Sequence, residues 1–267
     1  MSRPAADARR GPRLRLPALP AAALGAYVRQ YVLPAAPILL LAQPLAFGVL
    51  TVGSRAADAS VPLTVTAAGA GALSMWTLLL GGASWSLWSE RQQGRLRLVL
   101  ASPTPVAALF ALYLAAAALV SLASVSVAVL VVPALFGDRP DGGELVRAVP
   151  GLLALAVAVL ATGLALTPLF VGADGAVVWF DGLIYPVAVL GGFFAPVAAL
   201  PRPFELLAGL LPPYWAFRLL TALVGGGPLG PAAVGLVLTV LGCLAGYGAG
   251  MRLVTNRIRV TGSVGLG

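Results

Sequence analysis

The chain has 267 residues, 60% of them apolar and 10% charged, and a mean hydropathy of +0.97. A soluble domain averages about 25% charged residues, so this composition excludes a soluble globular protein and leaves an integral membrane one. The net charge is +8 and every basic residue is Arg; with no His and one cysteine, Cys243, the chain has no His-dependent catalysis, no His-ligated haem or zinc and no intrachain disulfide.

The basic residues gather at the ends of apolar runs instead of covering a solvated face. That distribution speaks for retention on the inner side of a bilayer and against a nucleic-acid surface. Residues 1–30 read as a basic cytoplasmic tail. Their apolar patch, Leu16 to Ala26, is broken by Pro17 and Pro20, which argues against a cleaved signal peptide, and Arg9–Arg10 lack the adjoining apolar stretch of a twin-Arg signal. The stretch "LGAYVRQYVL", Leu24–Leu33, fits an interfacial helix with Tyr27 and Tyr31 at headgroup level, and equally the start of a tilted first span.

Six apolar runs follow, at about Tyr31–Gly53, Pro62–Trp88, Val106–Phe136, Ala148–Ala173, Gly175–Ala199 and Pro228–Met251. About 20 helical residues cross a hydrocarbon core of about 30 Å, so the expected fold is all-α, with six transmembrane helices over residues 31–251 and a cytoplasmic tail over 252–267. The third run is longer than a span needs and must tilt, kink at Pro133 or reach into the cytoplasm. With both termini inside, the inner segments hold twelve Arg (3, 9, 10, 13, 15, 29, 91, 95, 97, 252, 257, 259) and the outer ones five (55, 139, 147, 202, 218), as the positive-inside rule requires. Between the last two runs, Pro196, Pro201, Pro203, Pro212 and Pro213 divide the chain into pieces too short to span. Short helices dipping into the outer leaflet, packed on protein, satisfy such a backbone.

Candidates for chemistry are few. No GxxxxGK[ST] occurs, and without Lys there is no P-loop lysine. Asp181 is the one ionisable residue well inside a run; it marks either a coupling site or a carboxylate reaching the inner headgroups. Gly242, Gly246 and Gly250 share one face of the last run, which suits packing inside the bundle, or a seam with a second copy.

The loop after the second run is more informative. In "WSERQQGRLRLVLASPTP", Leu96, Val99 and Leu100 fall on one helical face, and Arg91, Arg95 and Arg97 on the remaining arc with Leu98. The apolar face suits the membrane boundary and Leu98 a groove in a partner. Ser102-Pro103 ends the helix and Pro105 suits the first turn of the next. Physics alone also allows an ordinary positive-inside loop.

Here the chain resembles the ABC-2 family of ABC transporter permeases, whose second span is followed by a pattern close to ER-x-x-G-T-L-E-x-L-L-x-[ST]-P. Glu90, Arg91, Gly94, Leu96, Leu100, Ser102 and Pro103 match it, while Arg95 and Arg97 stand where Thr and Glu are usual. A second similarity lies in "GGFFAPVAALPRPFELLAGLLPPYWAFRLL", through Gly191, Gly192, Phe194, Pro196, Pro201, Leu211, Pro212 and Arg218. The resemblance implies a permease of a bacterial plasma membrane that binds no cofactor itself. It implies a coupling helix over Glu90–Pro103, with Leu98 among its contacts, docking on a separate ATP-binding subunit that holds ATP and magnesium. It also implies a second permease copy, export of a drug-like, natural-product or lipid-linked cargo, and an outer gate at Phe193, Phe194 and Pro196. A self-contained secondary transporter or channel is the competing reading; it lacks the midplane charge and internal repeat that class favours. A membrane-embedded enzyme lacks the necessary groups.

Overall fold

The computed structural model describes residues 37–55, 62–92, 106–137, 140–172, 176–194 and 200–261, with positions 25, 29 and 197 besides. Among these residues the fold is all-helical, without strands. A π-helical turn, Pro37–Ala42, leads into α1, Gln43–Arg55. Then come α2, Leu63–Gln92, α3, Val106–Leu135, α4, Gly142–Gly172, and α5, Ala176–Leu190. Two short helices, α6, Arg202–Ala208, and α7, Pro212–Gly225, meet at 93°, and α8, Gly230–Thr261, closes the chain.

Among the described residues four helices (α2, α3, α4 and α8) are long and apolar enough to cross a bilayer, five if the bent α6–α7 pair counts as one span. The sequence expectation of six uninterrupted spans is therefore met only in part. The fifth run stops early for a physical reason. Gly192 adopts φ +79°, and the Phe193 and Gly192 N–H groups donate back to Ala188 O (3.0 Å) and Val189 O (3.1 Å). That is the Schellman arrangement, which satisfies the last carbonyls and turns the chain away. The fourth run instead starts earlier than its apolar pattern, because Asp141 O accepts from Leu145 N (3.0 Å) and Glu144 occupies the helix's first turn, where the dipole favours an acid. The proline-divided segment folds as expected into short helices, each with proline at its start.

α2 is the axis of the bundle. Of its apolar window 89% is buried, against 6% for α8, and α1, α3, α4, α5 and α7 all pack on it. Small residues set the distances. At Gly71 a Cβ would stand 2.9 Å from the Val125 Cα of α3, and at Gly151 2.8 Å from the Leu220 Cα of α7. Such close backbone approach is how helices gain van der Waals contact where lipid supplies no hydrophobic drive. Buried hydroxyls bond their own helix: Ser74 to Ala70 O (3.1 Å), Ser121 to Ala117 O (2.6 Å), Thr162 to Ala158 O (2.8 Å) and Thr167 to Gly163 O (2.9 Å). Gln43 Nε2 donates to Thr77 Oγ1 (2.5 Å), fixing α1 on the axis. The buried Trp76 indole N–H has no acceptor among the described residues.

Candidate functional site

Successive long helices run in opposite directions, giving the bundle two functional ends. One holds the end of α2, the start of α3 and the end of α8; the other holds the start of α2, the end of α5, the α6–α7 corner and the start of α8.

At the first end, Glu90 and Arg91 lie in the last turn of α2. Gly94, Leu96, Leu98, Leu100, Ser102 and Pro103 lie outside the described residues, between Gln92 and Val106. The segment is therefore bracketed by the two helices that pack most extensively on each other. Its exit into α3 is tied down from afar: the Tyr247 hydroxyl of α8 donates to Ala107 O in the first turn of α3. Interhelical hydrogen bonds in membranes average about 0.6 kcal/mol and reach about 1.7. Tyr247→Phe should accordingly lower the denaturation midpoint only slightly, and a loss above about 2 kcal/mol would show that the bond holds the fold and not merely the register of two helices.

At the second end the proposed gate residues separate. Phe193 is fully buried; its ring lies 6.4 Å from that of Phe217 and it presents no surface to a pathway in this arrangement. Phe194 is half-buried against the core, and Pro196 lies outside the described residues. The glycine face of α8 also divides. A Cβ at Gly250 would meet Pro168 Cγ of α4 at 2.7 Å, whereas Gly242 and Gly246 face open space in the single chain. Asp181 lies in the second turn of α5, at the first end of the bundle.

The second end also holds a group that residue spacing did not single out. Arg218 Nη1 donates to Tyr214 Oη (3.1 Å), and the guanidinium stands 5.6 Å from the ring centres of both Tyr214 and Trp215. Those rings meet edge-on at 5.1 Å, and Trp215 Nε1 donates to Gly209 O (2.8 Å) at the α6–α7 corner. Its indole lies against Gly235 of α8, where any Cβ would collide with the ring. The i, i+4 spacing of Tyr214 and Arg218 was a visible signal; the remaining partners required the fold. Arg218 lines a cleft of about 510 Å³ with Glu205, Thr221 and mainly apolar residues, among them Val65, Phe217 and Pro231.

The sequence model of the ABC-2 type transporter matches residues 22–224. The chain belongs to the ABC-2 type transporter family. This family's domain is the membrane permease component of an ABC transporter and not its ATPase. The match takes in α1 through α5, the α2–α3 connection and nearly all of α7, and leaves α8 beyond its end. No curated protein matches the permease in a sequence search.

Proposed function

We propose that this ABC-2 permease is the membrane subunit of an ATP-driven exporter of an amphipathic or hydrophobic molecule in a bacterial plasma membrane. The observation that carries the reading is the family match over residues 22–224, which includes "ERQQGRLRLVLASP", in a chain with no lysine for a P-loop of its own. A separate ATP-binding subunit, holding ATP and magnesium, docks on Glu90–Pro103, and a second permease copy completes the pathway. The chain crosses the membrane six times with both termini in the cytoplasm, α1 and α5 being its shorter crossings; the twelve-to-five distribution of Arg supports that orientation. The α2–α3 connection then faces the ATPase and the Arg218 cleft faces outward. Movement of the docked segment passes into α2 and α3 directly and into α8 through Tyr247. Phe194, not the buried Phe193, remains the gate candidate.

Reconstitution tests this reading. Proteoliposomes holding the permease with the ATPase encoded beside it are expected to transport only with ATP and magnesium. Cargo accumulation driven by an ion gradient, with the permease alone, would replace the exporter reading with a secondary transporter or channel.

A further inference from the structure

The Arg218 cleft has the composition of a ligand site. Its volume of about 510 Å³ falls within the range of about 300–1,000 Å³ usual for small-molecule pockets. A guanidinium offers five N–H donors, and the Tyr214 hydroxyl takes one. The two adjoining rings, with Trp215 anchored at Gly209 and packed on Gly235, flank the stem of the exposed Arg218 and narrow the directions in which its remaining donors point. Glu205 lines the same cleft and makes no ion pair with Arg218. Among the described residues the cleft thus presents one cation and one carboxylate that do not pair, on an otherwise mainly apolar wall.

We propose that this cleft binds the headgroup of a zwitterionic phospholipid of the surrounding bilayer, its phosphate on Arg218 and its amine toward Glu205. Planar bidentate donors suit a phosphate, and a carboxylate in the same cleft selects against a headgroup that is anionic alone. Three features favour a bilayer lipid over a transported molecule. Phe204, Leu206 and Leu207 of α6 and Leu210 at the α6–α7 corner are exposed on the segment that carries Glu205, forming an apolar margin along which acyl chains continue. Tyr214 and Trp215 are the residue types that settle at headgroup depth. The cavity takes a headgroup and not two acyl chains. A lipid here would add to the Trp215–Gly209 hydrogen bond in bracing the 93° corner between α6 and α7.

The assignment to the outer leaflet rests on the proposed orientation; the test does not. The full chain is purified without any ATPase, and lipid adducts are measured by native mass spectrometry with added dioleoylphosphatidylethanolamine or dioleoylphosphatidylglycerol. Expected is a preference of several-fold for the ethanolamine lipid, a loss of roughly tenfold or more in Arg218→Gln, and equal binding of both lipids in Glu205→Gln. Arg218→Lys keeps the charge but loses the planar fork and is expected to bind weakly; its unchanged melting midpoint serves as the folding control. Equal occupancy in wild type and Arg218→Gln, or an ethanolamine preference that survives Glu205→Gln, overturns the proposal. So does displacement of the bound lipid by a transported cargo, which would make the cleft a cargo site. Failure to find an ATPase partner would remove the exporter reading and leave these measurements standing.

Discussion

Gly69→Ala is expected to destabilise the permease by about 2 kcal/mol, and Gly69→Val to prevent its accumulation in the membrane. Residue 69 lies on the buried face of α2, where an added Cβ would overlap the carbonyl oxygen of Phe193 and stand 3.2 Å from its carbonyl carbon. That carbonyl cannot retreat cheaply. Gly192 at φ +79° and the two Schellman hydrogen bonds set its position, and the Phe193 ring is fully buried against Phe217. Two opposing effects decide the sign. Alanine gains up to about 1 kcal/mol of helix propensity over glycine, whereas overpacking a close-packed site costs about 1–3 kcal/mol. The obstacle here is backbone, so the upper end of that cost applies and the clash prevails. Gly246→Ala supplies the control. No atom from another described element lies within 4 Å of its Cβ position, so only the propensity gain remains and the variant should be neutral or slightly stabilised. Thermal midpoints in detergent measure the difference. Equal behaviour of the two variants would mean that α2 and the Gly191–Phe193 turn do not meet as described.

The same pair of glycines shows how far the sequence could be read. Long apolar runs identify helices because a bilayer leaves the backbone no other way to satisfy its hydrogen bonds, so α2, α3 and α8 were legible nearly to the residue at their starts. The proline-divided segment was equally legible, since proline dictates where helices begin. Misread boundaries arose where a local motif overrode hydropathy: the Gly191–Gly192 turn cut α5 short inside an apolar run, and Asp141 with Glu144 started α4 inside a polar one. Helix spacing directed attention to Gly242, Gly246 and Gly250, but whether a glycine matters depends on which helix lies opposite. Those contacts fall at Gly69, Gly71, Gly151 and Gly250 among others, and nothing in a single chain's spacing names the neighbour. The Arg218 site was partly hidden for the same reason. Tyr214 is four residues away along one helix, whereas Gly209 and Gly235 come from a corner and from α8. The coupling segment is the reverse case. Its family pattern was legible in the sequence, while all but Glu90 and Arg91 of its matching residues lie outside the described structure.

Replacing Leu98 and Leu100 together by Asp is expected to abolish association with the ATP-binding subunit while leaving the membrane bundle intact. In the helix inferred for this segment, Leu100 shares the apolar face with Leu96 and Val99, and Leu98 projects among Arg91, Arg95 and Arg97. A leucine fully buried in a partner's groove contributes about 1.5–3 kcal/mol, so losing Leu98 removes roughly ten- to hundredfold in affinity, and Asp at 100 disrupts the apolar face that seats the helix. Carboxylates add a desolvation cost in the same direction. The arginines at 95 and 97 have a different expected signature. Charges at the rim of an interface act mainly on the association rate and its salt dependence, so replacing this pair should change how salt affects complex formation more than its final yield. The bundle tolerates the leucine changes because they fall between Gln92 and Val106, beyond the helices that bury Gly69, Gly71 and Gly151. The measurement is paired: co-purification of the ATPase and the melting midpoint of the permease in the same preparation. If the midpoint holds and the ATPase is lost, the segment is the docking element. If both hold, the ATPase docks elsewhere and the family pattern after α2 does not carry coupling in this chain.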